Sequence, residues 1–394
     1  MADYPVAELE NKTPLQAAAK PNMDLLAKNG EVGLVKTIPE GLAPGSDTAN
    51  LSVMGYDPRK YYSGRSPLEA VSIGIQLGEE DVTYRCNLVT LSSEKEYGDA
   101  VMLDYSADEI STEESTRIIE YLAEKFAPKG VELFSGISYR HCLVLRNAAD
   151  GTNLTPPHDI SDKRIGEYLP KDGNAPLLLG LMQLSYDLLK DHPVNKERVR
   201  RGKRPATSVW FWGEGRKPAL PDFYEKNHKR GAVISAVDLI KGIAICAGMK
   251  SIDVPGATGN IDTNFEGKAS AALHALGGGE DFVYIHIEAP DECGHRHEIQ
   301  GKVRAIELID EKVVGPIIKE MNLRREDFSV MVLPDHPTPL SLRTHTSEPV
   351  PYLIYRSNAA GPGGSYDEAG AKESGRFIPE GPLLLDYFFG LKEE

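Results

Sequence analysis

The second half of the chain is punctuated by short runs that are apolar nearly throughout. The clearest are Ser208–Trp212 (SVWFW), Ala232–Ser235 (AVIS), Phe282–Glu288 (FVYIHIE) and Phe328–Leu333 (FSVMVL). Continuous apolarity without in–out alternation suits strands covered on both faces. Between these runs the spacing turns helical, over Ala236–Ala247, Gly267–Ala275 and Glu298–Met321. The alternation predicts a mostly parallel α/β sheet with helices on both sides.

The middle of the chain is patterned differently. Glu79–Leu91 and Ala100–Tyr105 read as strands, and Val131–Gly136 with Arg140–Arg146 as a hairpin. Thr112–Phe126 reads as an amphipathic helix behind a Ser-Thr-Glu-Glu cap, and Pro176–Leu189 as a second helix. This predicts a separate α+β domain over residues 75–205, inserted into a main domain formed by 1–74 and 206–394. The basic stretch DHPVNKERVRRGKRP reads as a return linker, and its Lys196–Arg204 cluster as a solvated hinge or a funnel for an anion. The amino terminus is unusual for an α/β protein. It opens with loop and then helical spacing over Pro14–Gly30, and no apolar strand comes first.

Composition adds exclusions. Hydrophobic residues make up 41% and charged residues 26%, as in ordinary globular proteins. The net charge of −15 argues against a general nucleic-acid binder, though not against a local basic pocket. No apolar run approaches the ~18 residues of a membrane span. Cys86, Cys142, Cys246 and Cys293 are scattered, and no signal peptide is evident, so the expectation is a reduced cytoplasmic protein without disulfides.

Two strand ends carry candidate chemistry. Phe282–Glu288 runs into Ala289-Pro290-Asp291-Glu292-Cys293-Gly294-His295, and Phe328–Leu333 runs into Pro334-Asp335-His336, with His345 ten residues after Asp335. In open α/β sheets sites form at the carboxyl ends of strands. An isolated Asp-His pair is a polar turn in most proteins. Three such pieces, using three of only ten histidines, raise a metal site to an equal alternative. Mixed carboxylate and imidazole donors suit Zn²⁺ or Mn²⁺ better than Ca²⁺. Separately, Pro44-Gly45-Ser46-Asp47 is a tight turn before a helix-like stretch. Ser46 or Asp47 is either an N-cap, or Ser46 faces an oxyanion at the helix amino terminus.

In this order, GSDTANLSVMGYDPRKYYSGRSPLEA, RCNLVTL, WFWGEGRKPALP, VPGATGNIDTNFEGKA, APDECGH and LPDHPTPLSLRTHTSEPVP resemble the archaeal-type cofactor-independent phosphoglycerate mutases of the alkaline phosphatase superfamily, along the whole chain. The resemblance implies an alkaline-phosphatase-like sheet and a lid-forming inserted domain. It implies 3-phosphoglycerate and 2-phosphoglycerate as substrates in glycolysis and gluconeogenesis. It also implies two divalent ions, Mn²⁺ first, with Zn²⁺, Co²⁺ or Mg²⁺ as alternatives. Ser46 matches the nucleophile. Asp291, His295 and His345 match one metal site, and Asp335, His336 and the Ser46 oxygen match the second. Substrate contacts are expected from Arg140, His158, Asp159, Arg216 and Lys217, where Arg offers a bidentate fork to phosphate or carboxylate, and from Asn50. A homo-oligomer is compatible with this reading; nucleic-acid and membrane partners are not expected.

Two departures stand out. The family opens with a strand ending in Gly-Asp-Gly, just before Met-Ala-Asp, whose Asp binds the second metal. This chain begins at Met1-Ala2-Asp3. A start placed about ten residues late would account for that, and low activity is expected of the chain as written. Asn50 stands where related mutases often carry His. Some bacterial members have a proposed homoserine kinase role, so a phosphotransferase of that kind is the nearest rival. A phosphatase or sulfatase, and a metal-binding protein inactive for want of the first-strand ligand, are the others.

Overall fold

The computed structural model describes residues 1–391. Among them twelve strands follow in order: β1 (Glu31–Val35), β2 (Val82–Leu91), β3 (Met102–Asp104), β4 (Glu132–Phe134), β5 (Arg140–Leu145), β6 (Ser208–Arg216), β7 (Gly231–Ile234), β8 (Lys250–Ile252), β9 (Phe282–Ile285), β10 (Ser329–Val332), β11 (Val350–Arg356) and β12 (Phe377–Ile378). The chain divides into two units. One joins Met1–Tyr62 to the chain from Leu220 onward, and the other is Ser63–Ala219. No helix among the described residues is long and apolar enough to cross a membrane.

The first unit is α/β. β8, β7 and β9 form a parallel sheet in that order. The second sheet, β10-β11-β1-β12, departs from the parallel expectation, because β11 runs antiparallel to both β10 and β1. The chain returns from β10 to β11 through residues 333–349 with no helical crossover, and such a return gives antiparallel pairing. β1 (EVGLV) escaped the sequence reading because Gly33 interrupts it. The glycine is needed for space: a Cβ there would lie 2.6 Å from the hydroxyl of Tyr352, its cross-strand partner.

β9 and β10 each pair on one side only, with β7 and β11. A groove of about 710 Å³ is lined by both. Helices pack over the sheets through Leu15, Met23, Leu26, Ile306 and Ile309. The helical stretch from Ile299 to Arg324 contains a π turn at Asp310–Val314. The Asp310 carboxylate accepts the backbone N–H groups of Asn22 (3.1 Å) and Met23 (2.7 Å), which caps the helix Pro21–Asn29 from outside.

The second unit is an antiparallel sheet in the order β3-β2-β5-β4, with β6 also paired to β2. Helix Thr112–Phe126 contributes Ile118, Ile119, Leu122 and Phe126 to its core, at helical spacing, and Ala175–Leu189 contributes Leu178, Leu181 and Met182. The observed limits, 63 and 219, lie outside the expected 75 and 205. The apolar run of β6 suggests the parallel sheet, but the strand pairs antiparallel along most of β2. Helix Ser66–Ser72 belongs here too, since the Ser66 hydroxyl bonds Thr83.

The expected basic linker is also corrected. Pro193–Arg200 is a helix, and Arg198 is only 1% exposed. Its guanidinium pairs with Glu114 and donates to the carbonyls of Ala107 (2.6 Å) and Arg204 (2.9 Å). Arg198→Met should destabilise this unit by about 2 kcal/mol, less than a fully buried pair would lose because Glu114 keeps Arg201. Urea unfolding followed by the tryptophans of β6 measures it, and an unchanged midpoint would contradict the assignment.

Candidate metal centre and nucleophile

Helix Ala289–His295 begins just beyond β9. Asp291 lies in its first turn and His295 one turn later, so both face the same way. His295 Nε2 is 3.2 Å from Asp291 Oδ2, and His345 Nε2 is 3.5 Å from Asp291 Oδ1. The two Nε2 atoms lie 2.9 Å apart. His295 Nδ1 is 3.0 Å from the Arg343 carbonyl, which orients the ring and leaves Nε2 for the centre. One carboxylate and two imidazole nitrogens converging this closely fit a divalent transition metal. The helix reaches its position because Gly294 passes close to the 337–340 loop; a Cβ there would lie 2.6 Å from the Thr338 carbonyl.

β10 delivers the second cluster. His336 Nε2 lies 3.4 Å from Asp335 Oδ2 and 3.1 Å from Ser46 Oγ. The His336 and His345 rings sit 4.0 Å apart, so the two clusters adjoin. Ser46 is the first residue of helix Ser46–Val53, with Gly45 in the capping position. The capping alternative for Ser46 and Asp47 is thereby excluded, and the Ser46 hydroxyl faces His336.

Behind both clusters lies a buried ion pair. Lys302 Nζ donates to Asp3 Oδ2 (2.7 Å), the Thr338 carbonyl (2.8 Å) and the Ala2 carbonyl (3.3 Å). Asp3 also accepts the Leu340 and Tyr4 amides, so its carboxylate is occupied and it is no ligand. Thr338 Oγ bonds Asp291 and lies 3.3 Å from His336 Nδ1.

Residues 27–195 match the profile of a family described as 2,3-bisphosphoglycerate-independent phosphoglycerate mutase. A mutase of that name from Methanothrix thermoacetophila is 50% identical over 386 residues, covering 98% of this chain and 96% of the relative. The chain belongs to this family. A probable mutase of the same kind from Geobacter sulfurreducens is 49% identical over 98% of the chain and 96% of its own length. Among solved structures, the cofactor-independent phosphoglycerate mutase of Thermoplasma acidophilum matches with a TM-score of 0.69 at 26% identity, covering 99% of this chain and 96% of that one. A protein from Pyrococcus horikoshii matches with 0.82 at 28%, covering 100% and 96%.

Within the mutase fold the electrostatics follow from burial and proximity. Burial opposes ionisation of Asp291, but hydrogen bonds from His295 and His345 outweigh it and hold the carboxyl well below the usual range. The Asp291 hydrogen bond raises His295 to about 9. Burial lowers His336, and lowers His286 to about 4. Burial, then Glu292 and Asp291, raises Glu288 to about 7. His286, which meets Ser235 Oγ at 3.2 Å, and Glu288 were missed by sequence reasoning. Their signal was the period of two along FVYIHIE, which sets Tyr284, His286 and Glu288 on one face.

The expected substrate contacts fare differently. Asn50 is fully buried, and its hydrogen bonds are filled. Its amide donates to Asp335 Oδ2 (2.9 Å) and the Ser46 carbonyl (2.8 Å), and its oxygen accepts from Tyr284 (2.6 Å). It therefore positions Asp335 and leaves nothing for substrate. Arg216 is committed to Asp150 (3.0 Å) and the Ala148 carbonyl (2.6 Å), as a brace within the second unit. Lys217 beside it is exposed.

Arg140 lies 4.7 Å over the Tyr139 ring, and His158, 3.6 Å from exposed Asp159, packs 5.3 Å from Trp212. Sequence reasoning missed Arg85, which stacks 4.1 Å over Trp212 within electrostatic range of Arg65 and Arg140. Arg85 is largely buried and pairs with Glu69 at 3.0 Å, which leaves Arg140 as the exposed guanidinium beside these rings.

Two outcomes follow for the mutase centre. Because the Asp291 hydrogen bond raises His295 to about 9, a metal bound there would have to displace its proton at neutral pH. Apparent metal affinity should therefore fall about tenfold per pH unit below that value, with about one proton released on binding. Calorimetry in buffers of differing ionisation enthalpy measures both, and pH-independent affinity would refute the coupling. Lys302→Met should lose about 3 kcal/mol in denaturant unfolding and weaken metal retention against a chelator, since Asp3 is left buried without its partner.

Proposed function

We propose that this chain interconverts 3-phosphoglycerate and 2-phosphoglycerate through a phosphoserine at Ser46, without 2,3-bisphosphoglycerate. The observation that carries the reading is the Ser46 hydroxyl at a helix amino terminus, 3.1 Å from His336 and beside the Asp/His clusters, in a chain half identical to mutases of that name. Asp291, His295 and His345 would hold one divalent ion, and Asp335, His336 and Ser46 Oγ a second, with Mn²⁺ the first choice and Zn²⁺, Co²⁺ or Mg²⁺ compatible with the donors. Bound there, such ions depress the serine pKa and offset the charge of the moving phosphoryl group.

The remaining chemistry belongs to the chain. Ser46 Oγ loses its proton and attacks phosphorus. The bond from phosphorus to the C3 oxygen breaks, and that oxygen takes up a proton to give glycerate. The C2 hydroxyl of glycerate then loses its proton and attacks the phosphoserine, and the P–Oγ bond breaks. The amino end of helix Ser46–Val53 favours the phosphoryl oxygens throughout. Asn50 holds Asp335 in place. Arg140 is the proposed partner of the substrate carboxylate or phosphate.

An enolase-coupled assay with 3-phosphoglycerate and Mn²⁺, without bisphosphoglycerate, tests this. Ser46→Ala should lose at least about a thousandfold in kcat, and chelation should abolish activity that Mn²⁺ restores. Arg140→Ala should raise KM about tenfold with a smaller change in kcat. Release of free phosphate without isomerisation would replace the mutase by a phosphatase.

A further inference from the structure

The turn that leads into Arg140 is closed by a histidine with one donor unmatched. β4 ends at Phe134 and β5 begins at Arg140, so residues 135–139 make the turn between two paired strands. Gly136 lies at its base. A Cβ there would come within 2.3 Å of the Arg140 carbonyl oxygen, so glycine is what lets the two arms approach this closely. The Gly136 N–H donates to His141 Nδ1 at 3.1 Å. A ring nitrogen that accepts carries no proton, so the neutral imidazole holds its proton on Nε2. That Nε2 is buried and has no hydrogen-bond partner among the described residues. The residue opposite His141 on β2 is Cys86, whose thiol is a weak acceptor.

Burial pushes His141 down to about 3, so the ring is neutral and Nδ1 accepts across the working range of pH. A buried donor without a partner costs stability, and an apolar side chain on this strand would avoid that cost. What the histidine supplies in return is the acceptor for Gly136. The far arm of the turn has anchors of its own. The Ser138 hydroxyl donates to the Ile110 carbonyl (2.7 Å), its amide donates to Thr112 Oγ1 (3.1 Å), and the Leu88 amide donates to the Tyr139 carbonyl (3.0 Å). Arg140 takes its direction from this turn. Its Nη2 donates to the Tyr139 hydroxyl (3.0 Å), and its guanidinium lies over the Tyr139 ring.

We propose that His141 is a positioning residue: by accepting the Gly136 amide it fixes the turn that aims Arg140 at the carboxylate or phosphate of the substrate. The inference rests on the mutase reading and adds to it the side chain that sets the geometry of Arg140. It explains why a buried strand position carries an imidazole whose second nitrogen is left unmatched.

Two substitutions test it. Leucine removes both the acceptor and the unmatched donor, whereas asparagine keeps an acceptor, its Oδ1 standing in for Nδ1. His141→Leu should speed amide exchange at Gly136 about tenfold. It should raise KM for 3-phosphoglycerate about fivefold, with a smaller change in kcat, and His141→Asn should restore most of the loss. Combined with Arg140→Ala, His141→Leu should add nothing to KM, because the group it positions is gone. The urea midpoint of His141→Leu should not fall, since an unmatched donor leaves with the hydrogen bond. An unchanged KM, a KM effect that multiplies with that of Arg140→Ala, or a lowered midpoint that asparagine does not rescue would each overturn the proposal. Calorimetric binding of 3-phosphoglycerate to the Ser46→Ala chain separates this from the mutase reading. Binding weakened about fivefold by His141→Leu in a chain without mutase activity would sink the reaction and keep the positioning role. Absent binding, or binding indifferent to His141, would sink the role whatever the reaction.

Discussion

A lysine ammonium without water around it organises the metal-bearing unit. Lys302 has three N–H donors and spends them on Asp3 and the carbonyls of Ala2 and Thr338. A buried charge with fewer partners would cost several kcal/mol, so this geometry is the one that the burial permits. The ammonium joins the amino-terminal arm, the helix that carries Lys302, and the loop after β10. From that loop Thr338 reaches Asp291 and His336, one from each proposed metal cluster. Both clusters thus hang on one interaction between groups that are not ligands.

The antiparallel return of β11 serves the same end. Asp335, His336, Thr338 and His345 all lie on the connection between β10 and β11. A helical crossover would have carried the chain off across the face of the sheet. The direct return keeps it over the carboxyl end of β10 and brings the His345 ring, tilted, against that of His336. Ser46 arrives from a separate element, and Asn50 ties its helix to Asp335.

The centre was legible in the sequence because its residues follow directly from strands with an unmistakable apolar signature. The structure brings the side chains of Asp291, His295, Asp335, His336, His345 and Ser46 close together. What could not be read depended on partners distant along the chain. SVWFW is equally apolar in a parallel and an antiparallel sheet, and only its pairing with β2 decides between them. Asn50 looks like a substrate contact until Asp335 takes its amide. Arg198 looks like part of a solvated linker until Glu114 closes on it. Lys302 carries no local signal at all, since a lysine on a helix reads as surface until the burial of its face is known.

A π turn holds one residue more than the α turn it replaces. The stretch from Ile299 to Arg324 therefore carries a spare position at Asp310–Val314, between Lys302 on one side and Ile317 on the other. Losing one residue there would return regular α geometry and leave both flanking segments facing as they do. Losing one residue elsewhere would swing everything beyond it by about 100°. The spare residue still has work, because Asp310 clamps the amino-terminal helix. A lineage that shortened its chain at this codon would keep the proposed metal ligands in register while loosening its first helix, so the turn is where length could drift without dismantling the site.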